Sequence, residues 1–91
     1  MGRLEDADAS LQIAAQQRPS RAITWQNLGL VAAAREEEQK ATAYFVRYLQ
    51  ADRHGGPAQT QLRQWAADAS IPVAQRNAAA LALDAVHVER N

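Results

Sequence analysis

Trp25, Leu28, Gly29 and Ala32, followed by Ala41, Phe45, Tyr48 and Leu49, recur three and four residues apart along two neighbouring segments, and this alternation of large and small side chains limits the fold more than any other feature. Residues at that spacing share one face of an α-helix. Two antiparallel helices approach closely only where one offers a small side chain. Gly29 and Ala41 are therefore expected at the crossings, with Trp25, Phe45 and Tyr48 filling the space beside them. Between the segments, Arg35-Glu36-Glu37-Glu38 reads as a turn and a new helix start, its carboxylates suited to the positive end of the helix dipole.

The chain has 91 residues, room for one small domain, and a domain of that size buries only about 60–70% of the surface its unfolded form exposes. Every helix must then contribute to the core. Much of the apolar content is alanine, which implies closely approaching helices more than a thick core of large side chains. Alanine, glutamine, arginine and glutamate all favour helix. The three prolines and Gly2, Gly55 and Gly56 fall where helices would begin or end, so the expected class is all-α.

Five helical segments follow along the chain. Leu4, Ala7, Leu11 and Ala14 define one face of the first, which Arg18-Pro19-Ser20 ends, and Ser20 is placed to cap the second. The second carries Trp25, Leu28, Gly29 and Ala32 on one side and Ile23, Leu30, Ala33 and Ala34 on the other. The third runs through Ala41, Phe45 and Tyr48 to about Asp52. His54-Gly55-Gly56-Pro57 is the plainest break. The fourth presents Leu62, Trp65, Ala66 and Ala69, and Ser70-Ile71-Pro72 ends it, with Pro72 suited to a first helical position. The fifth sets Ala74, Ala78, Leu81, Ala85 and Val88 on one stripe, with Ala79, Leu83 and Val86 beside it.

Trp25-x-x-Leu28-Gly29-x-x-Ala32 followed by Ala41-x-x-x-Phe45-x-x-Tyr48-Leu49 resembles one complete tetratricopeptide repeat (TPR). The family's period of about 34 residues, counted back from Ala41, Phe45 and Tyr48, reaches Ala7, Leu11 and Ala14, and counted forward from Leu28 and Ala32 it reaches Leu62 and Ala66. The same shift sets Gln59 against Trp25 and Arg63 against Gly29, so the third unit is degenerate. The resemblance implies the second helix of a partial repeat at 1–18, a complete repeat at 22–55 and a divergent helix pair at 57–90, stacked as a short α-solenoid. Ala32 stands where the family usually has tyrosine, Arg53 where it has an exit proline, and Glu38 where a bulky apolar residue is common; all three suggest a thinner core. The opening half-repeat reads as part of a longer array or as a cap, with the array favoured.

In that family the first helices of successive repeats line a concave groove that holds a peptide or helix of a partner. The resemblance places Ile23, Gln26, Asn27, Leu30, Ala33 and Ala34 there, then Thr60, Gln61, Gln64, Ala67 and Asp68. Trp25, Leu28, Gly29, Ala32, Ala41, Phe45 and Tyr48 form the structural signature. Only Asn27 matches the basic and amide set with which some members clamp a terminal carboxylate, so a mildly apolar groove edged by amides is expected. For Ile23 and Leu30, burial against a neighbouring repeat is an equal reading. Trp65 reads as core, with the groove rim as the alternative, and Tyr44 reads as turned toward the exposed side.

The function expected is a protein–protein interaction adaptor or scaffold, not an enzyme. The runner-up is a helical homo-oligomerisation module using the C-terminal helix, where Leu81 and Leu83 point in different directions although the last helix of a solenoid should be polar outside. A non-catalytic regulatory fragment of a larger protein is a third reading. Formal charge is zero with no basic block, so no nucleic acid is expected as a partner. No run approaches the roughly 20 apolar residues of a membrane span, and residues 1–6 turn acidic where a secretory signal would be apolar. A cytoplasmic location is expected unless the chain is a fragment of an exported protein. With no cysteine, and with His54 and His87 each lacking a second ligand at helical spacing, neither a metal nor a cofactor is expected. Ser10, Ser20 and Ser70 have no partnered base, Glu36-Glu37-Glu38 reads as a solvated helix start, and Gly55-Gly56 lacks the lysine of a phosphate loop.

Overall fold

The computed structural model describes residues 2–52 and 56–90, with side chains through Val86. The elements are α1 (Arg3–Gln17), α2 (Ala22–Ala34), α3 (Glu38–Ala51), α4 (Pro57–Ala67) and α5 (Val73–Arg90). The fold is all-α, with no strand among the described residues. The expectations for Arg53, His54 and Gly55, and for the side chains of His87 and Val88, lie outside those described.

Local chemistry explains each junction. Ser20 does not cap α2: the cap residue is Arg21, whose side chain makes no capping bond. The turn is held instead by the Trp25 indole N–H, which donates to the Pro19 carbonyl at 2.7 Å, and by the Arg21 N–H bonded to the Arg18 carbonyl at 3.2 Å. At the end of α2 the Glu36 N–H donates to the Ala33 carbonyl at 3.0 Å and the Glu37 N–H to the Ala32 carbonyl at 2.9 Å, the paired bonds of a Schellman motif. Glu36 adopts φ +60° to close it, a conformation that favours glycine. Glu37 then bridges Arg35 at 3.2 Å and Lys40 at 3.0 Å. Pro57 occupies the first turn of α4, where its missing N–H costs nothing, and the Asp52 carboxylate accepts the Ala58 N–H at 2.8 Å. Asp68 closes α4 by accepting both the N–H (2.9 Å) and the hydroxyl of Ser70.

The core forms where α2, α3, α4 and α5 meet. Phe45 and Leu62 are its largest fully buried side chains, set among Ala32, Ala33, Ala41, Ala58, Ala78, Ala79 and Ala82, and Leu28 is fully buried outside that cluster. Gln26 with Tyr48 and Gly29 with Phe45 mark the antiparallel register of α2 and α3. Gly29 is essential to the approach, since a Cβ there would overlap the Phe45 ring, including Cζ at 3.0 Å. Signature residues Leu28, Gly29, Ala32, Ala41, Phe45 and Tyr48 are all buried as the spacing requires. Trp25 is half-buried, its ring stacked on Tyr44 with centroids 6.3 Å apart. Tyr44 is not turned to solvent: it is half-buried and accepts a hydrogen bond from the Gln12 amide, which joins α1 to α3.

The second helix pair departs from expectation in two respects. First, α5 lies against the α2/α3 hairpin, while α4 packs chiefly on α5 and its backbone does not come within 8 Å of that of α2 among the described residues. Alanines decide this, because Ala78, Ala79 and Ala82 let the α5 backbone come close where Leu62 and Trp65 hold α4 further off. Trp65 is core-facing, its ring 5.6 Å from that of Phe45. Second, the buried stripe of α5 is Ala78, Ala79 and Ala82 with Ala74 and Leu83 at its edges, whereas Leu81 and Ala85 face outward. Ala69 falls beyond α4 and is exposed, and α1 buries only Ala15 and rests on α2.

Candidate partner-binding surface

At about 100° per residue, Ile23, Asn27, Leu30 and Ala34 fall within a narrow arc of α2, opposite Leu28 and Ala32. Ile23 is 46% exposed, Ala34 is exposed, and Asn27 and Leu30 are half-buried, Leu30 resting on the rim of the core. This stripe of α2 therefore faces outward and is more apolar than polar. Gln26 sits at its edge, where its side-chain amide donates to the Tyr48 hydroxyl at 3.2 Å. Burial is the main cause that raises the Tyr48 phenol above 10.0, with the Asp52 carboxylate adding to it and the Gln26 bond opposing.

Ala33 does not line this surface. It is 3% exposed, because the step of about 100° between Ala33 and Ala34 turns the Ala33 methyl out of the outward arc and into the core. The α4 residues form a separate surface: Thr60, Gln64 and Ala67 are exposed and Gln61 is half-buried, but α4 is not a neighbour of α2, so the two sets do not face one groove. Asp68 is occupied in its turn, where the Ser70 hydroxyl bond first and the Ser70 N–H bond second hold its carboxyl below the usual carboxylate range.

A hollow of about 280 Å³ lies on another side of α2, lined by Pro19, Ser20, Trp25, Arg47, Gln50 and Ala51. The Arg47 guanidinium carbon stands 5.2 Å from the Trp25 ring centroid, within cation–π range. The spacing along α2 points Trp25 to packing alone, and no local pattern marks Arg47, because its pairing with Trp25 crosses two helices. The antiparallel register of Gly29 and Phe45 was the signal that could have joined them. A second hollow, about 310 Å³, flanks the same turn and is lined by Ala14, Gln17, Arg18, Arg21 and Thr24. At the other end of α2, Glu36 to Lys40 line a third of about 360 Å³.

Among the described residues no cluster of three or more histidine, cysteine, aspartate or glutamate side chains could hold a metal ion, and no helix is long and apolar enough to cross a membrane. Comparison with family models, curated proteins and solved structures gives no match to this chain.

Proposed function

We propose that the protein is a helical adaptor of the tetratricopeptide type that binds an aliphatic or helical segment of another protein. The observation carrying this reading is the outward stripe of α2, where Ile23 and Ala34 are exposed and Asn27 and Leu30 half-buried between them, beside a core built from the opposite face of the same helix. A helix that supplies the core on one side and an accessible apolar stripe on the other can accept a third helix by ridge-into-groove packing. The burial of the repeat signature supports the same reading. The surface is confined to α2, since α4 stands apart from it.

A pull-down comparing the wild type with Leu30→Glu/Ala34→Glu tests the proposal, with circular dichroism confirming that both fold. Loss of the captured proteins in the variant is expected, and equal capture would defeat the reading. Because Leu30 touches the core, Ile23→Ser provides a second variant confined to the exposed end of the stripe.

Self-association through α5 is the second reading, favoured by Val73 and Leu81, which are 57% and 49% exposed. Light scattering over a concentration series separates the two, since a mass independent of concentration opposes self-association.

A further inference from the structure

We propose that the hollow between the α1–α2 turn and α3 is a binding site for an acidic peptide segment, with the Arg47 guanidinium as its anchor and the Trp25 indole as its floor. This inference stands apart from the outward stripe of α2 and holds whether or not that stripe binds.

Arg47 is exposed, its guanidinium lies against the Trp25 ring, and it has no acidic partner among the described residues. Contact with an aromatic ring leaves the guanidinium N–H fork free to meet a carboxylate with two parallel hydrogen bonds. The indole itself is fixed on two sides, by its bond to Pro19 and its stacking on Tyr44, so little ordering is needed when a ligand arrives. Gln50 and Ser20 add an amide and a hydroxyl to the lining, and Pro19 and Ala51 add apolar wall. Asp52, the nearest carboxylate along the chain, is engaged with the Ala58 N–H.

Charge on the other flank of the turn selects the kind of ligand. Arg18 and Arg21, both exposed and also without acidic partners among the described residues, line the adjoining hollow. Three arginines around one turn match a segment carrying several side-chain carboxylates better than a single chain terminus. The site is thus expected to prefer two or more glutamates or aspartates, with a small apolar residue or proline against the indole.

The test uses two probe peptides, acetyl-Ala-Glu-Pro-Glu-Ala-amide and its analogue with glutamine for both glutamates. Nitrogen–proton NMR follows the Trp25 indole signal, identified by its loss in Trp25→Phe. The acidic peptide should shift that signal saturably, the glutamine analogue should bind about tenfold more weakly or not at all, and Arg47→Gln should weaken the acidic peptide by about tenfold while its spectrum stays folded. Arg47→Lys should fall between, because it keeps the charge without the planar fork. Equal shifts with both peptides, binding unchanged by Arg47→Gln, or equal response to free acetate would each overturn the proposal. So would concentration-dependent self-association abolished by Arg47→Gln in a sample that ignores the peptide, which would assign the site to a second copy of the chain. The variant Leu30→Glu/Ala34→Glu should bind the peptide normally, so failure here and failure of the α2 stripe are distinguishable.

Discussion

Gly29 and Phe45 meet at the point where α2 and α3 come closest, and the aromatic ring occupies the volume that any side chain at position 29 would need. A Cβ built there lies 3.0 Å from Phe45 Cζ and nearer still to Cδ1 and Cε1, while Phe45 is fully buried and has nowhere to retreat. Gly29→Ala should therefore lower stability by about 1–3 kcal/mol through overpacking, even though alanine is the better helix former by about 1 kcal/mol. Chemical denaturation of Gly29→Ala, Phe45→Leu and the pair should reveal a coupling, with the smaller partner relieving part of the alanine penalty. Strict additivity would mean that the two residues do not compete for this space.

The opposite sign is expected at Glu36. Its φ of +60° carries a cost of roughly 1–2 kcal/mol for a side chain with a Cβ, part of which glycine gives back through the greater freedom of its unfolded chain. Glu36→Gly should raise stability by about 0.5–1 kcal/mol in thermal or urea unfolding. Arg35 and Lys40 both pair with Glu37, so neither ion pair of this turn is lost. A destabilised variant would show that the left-handed turn is not strained.

Much of the architecture was legible in the sequence because it rests on punctuation that acts locally. Pro19, the Gly56-Pro57 pair and Pro72 mark breaks whatever surrounds them, and the Gly29/Phe45 spacing fixes one hairpin. The inward face of α5 was not legible. Alanines occur on several of its faces, and an alanine costs little on either side of a helix, so the apolar stripes through Leu81 and Leu83 do not reveal that Ala78, Ala79 and Ala82 face the core while Leu81 stays exposed. The candidate surface divided in the same way. Ile23, Asn27, Leu30 and Ala34 follow from the period of α2, whereas the separation of α4 from α2 depends on which helix packs more tightly against the hairpin, a competition that no local pattern encodes.

The α1–α2 turn offers a direct contrast between a residue that looks structural and one that is. Ser20 makes no capping bond, so Ser20→Ala should change stability by less than about 0.5 kcal/mol. Trp25→Phe keeps a ring but loses the hydrogen bond to Pro19 and should cost about 1–2 kcal/mol. Matched denaturation curves decide the point, and a larger effect at Ser20 would reinstate the cap.

Helix α1 should be the first to open. It buries Ala15 alone, rests on α2, and leaves Leu4 and Ile13 exposed. Native-state hydrogen exchange should show its amides least protected and those of α2 and α3 most protected, near the global unfolding limit. Uniform protection along all five helices would mean that α1 is held more firmly than its packing suggests.

Tyr48 gives the fold a specific alkaline weakness. Burial, reinforced by the Asp52 carboxylate and opposed by the Gln26 bond, raises its pKa above the ordinary 10.0, so the folded protein binds the phenolic proton more tightly than the unfolded chain does. The associated stability is fully present below pH 10.0 and is lost as pH rises through the folded value, because the phenolate is then favoured by unfolding. Unfolding free energy measured between about pH 9 and about pH 12 should fall more steeply in the wild type than in Tyr48→Phe, which has no proton to lose at that position. Since Tyr44 is retained in both proteins, the difference between the two curves isolates Tyr48. Parallel curves would show that the hydroxyl ionises as freely in the folded protein as in the unfolded chain.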